Sequence, residues 1–138
     1  MPALKIYNIF ISHVWRKDEN SEYYRLVALL NGAPNFMWRN YSVPEHNPLQ
    51  AKTDKQLREK IDEQVRLTSC FLVISGMYAQ YRKWILEEMR IAVEYHKPII
   101  SIVPYGQQRI PIEVQNISKD VVGWNTNSII ESIRKHAL

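Results

Sequence analysis

This sequence of 138 residues has little of what several familiar chemistries require. Its single cysteine, Cys70, cannot form an internal disulfide, and it lies in an apolar run that ends at Ile74, so we expect a buried thiol rather than a nucleophile. Its four glycines form neither G-x-G-x-x-G nor G-x-x-x-x-G-K-[ST]. These absences argue against a disulfide scaffold, a classical dinucleotide fold and a P-loop.

Long apolar runs and blocks of like charge are missing as well. No apolar stretch approaches the roughly 20 residues that cross a bilayer, and residues 1–5 do not open a signal peptide, so we expect a cytoplasmic protein without membrane contact. The net charge is +4, but the basic residues are scattered among acids, which predicts a mixed solvated surface rather than nucleic-acid binding. Length and composition predict one domain over residues 1–138.

Clusters of metal ligands and of acids are also lacking. The four histidines are isolated and there is no C-x-x-C or H-x-x-x-H pattern, so no metal site is predicted. Receiver-type phosphoryl transfer needs acids at the ends of the first and third strands. Ser12-His13 and Ser75-Gly76 stand there instead, which excludes that chemistry.

What the chain does contain is five short apolar segments that alternate with stretches of helical period. The predicted strands cover residues 5–12, 36–38, 70–75, 98–104 and 120–124. Residues 105–119 lack a clear period and predict an ordered loop with a short helical turn. Right-handed crossovers then predict an α/β fold of three layers, flavodoxin-like, with a five-stranded parallel sheet of order 2-1-3-4-5 and helices on both faces.

The predicted strand order makes the first and third strands neighbours, and a crevice opens beyond their carboxyl ends. Ser12, His13 and Trp15 stand at the end of the first strand, and Ser75 and Tyr78 stand at the end of the third. We expect these five residues to line the crevice. A long loop with two prolines, residues 39–48, follows the second strand, and loops of that length often close over a site or contact a partner.

A helix predicted over residues 81–93 places one carboxylate, Glu88, in an apolar stripe, whereas Glu87 lies on the outer side. A glutamate that faces the sheet must be hydrogen-bonded, neutralised or open to a cleft where a ligand meets it. The helix pattern alone leaves an alternative, a glutamate at the rim whose carboxylate reaches solvent. The inward stripe is predicted to contain Tyr81, Trp84, Ile85, Glu88, Met89, Ala92 and Val93.

Several segments, in order, resemble TIR domains. Residues 7–13 resemble their opening strand, residues 40–44 fall at their mobile loop, and Trp84 to Glu88 resembles their W-x-x-x-E motif. Residues 75–79, 97–100 and 122–125 look like the TIR-like family that includes ThsB of the bacterial Thoeris anti-phage system. The resemblance covers almost the entire chain, and it implies a TIR-like version of the predicted fold.

The resemblance also implies an activity, that of an NAD glycohydrolase or ADP-ribosyl cyclase. Such an enzyme breaks the nicotinamide–ribose bond of NAD, which is its substrate and not a cofactor, and makes a cyclic or conjugated ADP-ribose signal for a separate effector protein. By motif position Glu88 is the catalytic residue, and a homo-oligomer is implied because TIR enzymes often act as assemblies. The residues expected to contact the substrate are Ser12, His13, Trp15, Asn40, Tyr41, Ser75 and Trp84.

Two other functions stay open. One is a non-catalytic TIR-like module that binds a partner through the 39–48 loop or binds a nucleotide without cleaving it. The other is an enzyme similar to nucleoside deoxyribosyltransferases, which would act on free nucleosides. The sequence also departs from many TIR domains, because Glu87 stands beside Glu88 and no cysteine follows Trp84.

Overall fold

The computed structural model of the chain describes residues 5–12, 21–41, 54–74, 82–103 and 112–138. Within the helices, the side chains of residues 21–23, 54–58, 82–85, 87 and 112–113 lie outside that description.

Five parallel strands form one sheet with the order β2-β1-β3-β4-β5, which confirms the predicted topology. The central strands β1, β3 and β4 are almost continuously apolar, as expected for strands covered on both faces. The strands are β1 (Ile6–Ser12), β2 (Met37–Asn40), β3 (Cys70–Ile74), β4 (Ile99–Val103) and β5 (Asp120–Gly123).

Helices cover both faces of the sheet. Right-handed crossovers put the first and last helices on one face and the others on the opposite face; accordingly the first helix contacts the last and the second contacts the third. The helices are α1 (Ser21–Gly32), α2 (Asp54–Arg66), α3 (Arg82–Glu94), α4 (Ile112–Ile117) and α5 (Thr126–His136).

One register position runs straight across the sheet. Ser12 pairs with Val73, Val73 with Ser101, and Ser101 with Val121. Because side chains at one register position in neighbouring strands share a face, Ser12 and Ser101 point to the same side of the sheet, two strands apart. Phe10 lies two residues before Ser12 and therefore shares this face, on which its ring stacks on that of Phe71 at 5.0 Å.

Two local predictions need correction. The second strand is Met37–Asn40 rather than residues 36–38, because pairing with β1 continues until the Tyr41 N–H donates to the Ile9 carbonyl at 2.8 Å. On α3, Val93 was expected to face inward but is 46% exposed, whereas Ile91 is 6% exposed. The buried arc is centred near Glu88, from which Ile91 lies only about 60° around the helix and Val93 about 140°.

Other local predictions are confirmed. The short helical turn expected in residues 105–119 is α4. Cys70 is fully buried, and burial raises the pKa of its thiol to about 12, as expected for a core cysteine rather than a nucleophile. At the start of α5, Asn125 forms the cap by accepting from the Ser128 N–H at 3.1 Å.

Candidate active site

Glu88 is the one acidic side chain among the buried residues that the structure describes. It is 1% exposed and shares the inner face of α3 with Met89 and Ala92, so the predicted inward orientation is confirmed. Its Oε1 accepts a hydrogen bond of 2.9 Å from the hydroxyl of Ser12, which lies 76 residues earlier in the chain. The sheet therefore holds a carboxyl group from a helix against the last residue of β1.

The second carboxyl oxygen of Glu88 is different. Within the described ranges, Oε2 is buried and accepts no hydrogen bond. Buried polar atoms without partners are uncommon, because losing water without gaining a hydrogen bond costs about 1–3 kcal/mol. An unpaired acceptor of this kind is what a site for a hydroxyl-bearing ligand presents before the ligand arrives.

Burial also controls the charge of this group. Loss of hydration raises the pKa of Glu88 to about 8, and the hydrogen bond from Ser12 opposes this rise because it favours the ionised form. Because this pKa lies above 7, the carboxyl group is mostly neutral at pH 7. A positive charge placed beside the carboxyl group would lower its pKa and restore the carboxylate.

The position of this pair in the fold matches that of ligand sites in parallel α/β sheets. Ser12 is the carboxyl-terminal residue of β1 and pairs with Val73 near the end of β3. These two strands flank the point where the strand order reverses, and ligands bind beyond the carboxyl ends of strands at such a point. The predicted crevice position is thus occupied by a buried, half-satisfied carboxyl group.

Asn40 and Tyr41 lie elsewhere along the sheet. Asn40 pairs with Ile9, three residues before Ser12 in β1, which corresponds to about 10 Å along a strand. It lies in β2, on the opposite side of β1 from β3, and its side chain is exposed, whereas that of Tyr41 is partly buried. No hydrogen bond between these two residues and the Ser12–Glu88 pair is found in the described part of the chain, and their substrate contacts stay a prediction.

The remaining predicted contacts are not described by the structure. His13, Trp15 and Ser75 lie outside the described residues, and so does the side chain of Trp84, although its backbone belongs to α3. Their roles therefore stay predictions. The same holds for the side chain of Glu87, the neighbouring acid.

Other features of the described residues offer no competing site. A groove of about 510 Å³ is lined by Arg90, Val93 and Glu94 of α3 and by Ile117, which places it on the side of α3 away from Glu88. Within those ranges no group of three metal-ligating side chains is found. Nor does any helix there combine the length and apolar character needed to cross a bilayer.

The hydrogen bond from Ser12 to Glu88 was not predicted from the sequence. Ser12 was expected to contact the substrate, and that contact stays a prediction. A contact between residues 76 positions apart leaves no periodic signal in the sequence. The available signal was Ser12 itself, a serine that ends β1 directly after three apolar residues.

Fold and site together define a class: a flavodoxin-like α/β domain with one buried carboxyl group at the switch point of its sheet. Within that class, residues 10–109 match the model of the family "Thoeris protein ThsB, TIR-like domain". The match covers more than half of the chain, and the protein belongs to this family. The resemblance predicted from the sequence is thereby confirmed.

Comparison with solved structures agrees on the fold. The chain is similar to the CMP N-glycosidase BcmB of Clostridium botulinum, with a TM-score of 0.56 and 13% sequence identity, over 93% of this chain and 98% of that one. At this identity the similarity concerns the fold. No curated protein matches the sequence.

Proposed function

We propose that this protein is an enzyme that cleaves the bond between ribose C1 and a nitrogen base, with NAD as substrate and Glu88 as the catalytic residue. The observation that carries the proposal is the buried Glu88 carboxyl group, whose Oε2 has no hydrogen-bond partner among the described residues. Membership of the ThsB TIR-like family supports it. So does the fold shared with the CMP N-glycosidase BcmB.

The chemistry needs one well-placed carboxylate. The bond between C1 and the pyridinium nitrogen breaks, its electron pair stays on nitrogen, and nicotinamide leaves as a neutral molecule without receiving a proton. The ribosyl group becomes oxocarbenium-like, and the Glu88 carboxylate stabilises this positive charge while it accepts a hydrogen bond from a ribose hydroxyl. Water, or a nucleophile of the nucleotide itself, then bonds to C1 and loses a proton.

The charge of the substrate suits the raised pKa of Glu88. The pyridinium of NAD is cationic, and its approach favours ionisation of a carboxyl group that burial keeps mostly neutral at pH 7. Binding is therefore accompanied by release of a proton from Glu88. The product is a cyclic or conjugated ADP-ribose that acts on a separate effector protein, and the protein works as a homo-oligomer that completes the pocket.

The test is nicotinamide release by the purified protein, alone and with lysate of phage-infected cells. Glu88→Gln keeps the shape of the side chain and removes its charge, and we expect it to lower turnover by about 10²- to 10³-fold. Glu94→Gln is the matched control, because it removes a carboxylate from the exposed end of the same helix. No nicotinamide release in either condition would contradict the proposal, as would full turnover by Glu88→Gln.

A second candidate is cleavage of a free nucleotide or nucleoside, favoured by the fold shared with the CMP N-glycosidase. A pyrimidine base leaves readily only when it gains a proton, which the neutral form of Glu88 can supply at pH 7. A panel of NAD, CMP and cytidine separates the two candidates. A non-catalytic module would cleave none of them and would keep its partner binding in Glu88→Gln.

A further inference from the structure

In the contact between Ser12 and Glu88, the serine is the hydrogen-bond donor and the glutamate is the acceptor. Both are almost completely buried, and they meet through a single hydrogen bond from the Ser12 hydroxyl to Oε1. A serine hydroxyl has one proton to donate. While Ser12 donates it to Glu88, no proton remains on Ser12 for a phosphate oxygen, whereas the serine oxygen can still accept a hydrogen bond from a ribose hydroxyl.

The same hydrogen bond makes the two carboxyl oxygens unequal. Oε1 is held, and Oε2 is buried without a partner in the part of the chain that the structure describes. The hydrogen bond to Oε1 restricts rotation of this buried carboxyl group. Fixing a catalytic group in this way avoids an ordering cost during the reaction, and a misplacement of 1 Å costs about 10²-fold in rate.

We propose that Ser12 is a positioning residue, which holds Oε1 of Glu88 so that Oε2 is the atom presented to the ribosyl group of the substrate. The part that concerns catalysis rests on the function proposed above. The part that concerns the orientation and protonation of Glu88 does not.

The surroundings of the pair allow this effect to be isolated. Ser12 of β1 contacts Glu88, and β3 pairs with β1 at this position; the ionisable side chains of these two strands are Tyr7 and Cys70. Tyr7 and Cys70 alternate with Ser12 and Val73 and therefore point to the other face of the sheet. From the neighbouring helix α2, Asp62 accepts a hydrogen bond from Tyr95, beyond the end of α3. Arg90 lies on the exposed face of α3.

Ser101 provides a matched control. It is a fully buried serine of β4 at the same register position and on the same face as Ser12, and its hydroxyl bonds to that of Ser118 at 2.6 Å. Ser101→Ala therefore removes a buried hydroxyl from an equivalent environment without touching Glu88.

The experiment compares the wild type, Ser12→Ala and Ser101→Ala. Glutamate carboxyl groups labelled with ¹³C are titrated by NMR, and the Glu88 resonance is assigned by its absence from the Glu88→Gln spectrum. In Ser12→Ala we expect the pKa of Glu88 to rise above its wild-type value, because the hydrogen bond that favours the ionised form is gone. In Ser101→Ala we expect the wild-type titration.

Kinetics of nicotinamide release supply the second readout. Ser12→Ala should lower kcat by about tenfold to a hundredfold while KM changes less than about threefold, because orientation and not binding is lost. Its pH profile should also move toward higher pH. Ser101→Ala should keep the wild-type constants and profile.

The outcomes separate the two proposals. An unchanged Glu88 titration in Ser12→Ala, or an equal change in Ser101→Ala, overturns the positioning role whatever the activity. If the wild type cleaves no substrate, the proposed function fails, and the titration still decides whether Ser12 controls Glu88. Equal loss of kcat in both serine variants also overturns the proposal.

Discussion

Two buried serines at the same register position of the sheet use their hydroxyl groups differently. Ser101 donates to Ser118, which in turn donates to the carbonyl of Val114 at 2.5 Å, so this neutral chain of hydrogen bonds closes within the protein. Ser12 donates to Glu88, whose second oxygen is left without a partner among the described residues. The first arrangement satisfies its hydroxyl groups within the protein, whereas the second leaves a buried oxygen unpaired among the described residues.

The largest expected effect is on the pH dependence of stability. Because folding raises the pKa of Glu88 from 4.5 to about 8, this group stabilises the fold fully only below pH 4.5, and its contribution falls as the pH rises toward 8. Relative to Glu88→Gln, the unfolding free energy of the wild type should fall by about 1.4 kcal/mol per pH unit, or about 3 kcal/mol between pH 4.5 and 7.

Urea unfolding of both proteins at several pH values measures this difference. Ser101→Ala is the control, since it removes no ionisable group from the buried layer. A constant difference between the wild type and Glu88→Gln across this range would show that the Glu88 carboxyl group is not held neutral by burial.

The next effect concerns the rate with NAD. If the ionised form of Glu88 is the active one, kcat/KM should rise about tenfold per pH unit below pH 8 and level off above it, because this constant reports the pKa of the free enzyme. Between pH 6 and 8 the rise is about fiftyfold, or about 2.3 kcal/mol, because half of Glu88 is still neutral at pH 8. A profile that falls over this range would indicate that the neutral acid reacts, as cleavage of a free pyrimidine nucleotide requires.

A smaller effect is expected at the closed pair. Ser101→Ala should lower the unfolding free energy by about 1 kcal/mol at every pH, because Ser118 keeps its hydrogen bond to Val114 and only one neutral hydrogen bond is lost. Thermal or urea unfolding at two pH values measures it. A loss of unfolding free energy that grew with pH would mean that Ser101, like Ser12, interacts with an ionisable group.

The smallest effect tests whether backbone strain outside the site, at His96, can be removed without affecting function. His96 follows α3 with φ of 56°, and the next N–H, that of Lys97, donates to Ala92 at 2.9 Å, which closes the end of the helix. Because this conformation suits glycine, His96→Gly should raise the unfolding free energy by about 1 kcal/mol or less. Nicotinamide release should be unchanged, and a loss of activity would show that His96 is not independent of the site.

Much of the architecture follows from local sequence features. Apolar runs such as Cys70–Ile74 mark the central strands, and their alternation with helical periods leaves few topologies. The inward direction of Glu88 follows from its spacing to Met89 and Ala92. The spacing does not predict that Ile91 rather than Val93 is buried at the edge of the apolar stripe, because only packing decides how far a buried arc extends around a helix.

The site was predictable in position but not in detail. Strand order places the ends of β1 and β3 together, and the resemblance to TIR domains points to Glu88. That Ser12 would bond to Glu88 depends on the register of β1 and on the height of α3 above the sheet, two distances that no short segment specifies. Asn40 was expected in a loop but is the last residue of β2, because the length of that strand depends on its pairing with β1.

The register of β1 has a consequence for assembly of the protein. If β1 paired one position out of step, every side chain would turn to the opposite face, and Ile11 would take the place of Ser12 in front of Glu88. The glutamate would then lose the hydrogen bond that Ser12 donates to Oε1, which adds to the cost of its burial. Glu88 thus disfavours misaligned sheets, so the residue that costs stability also helps to select the native pairing.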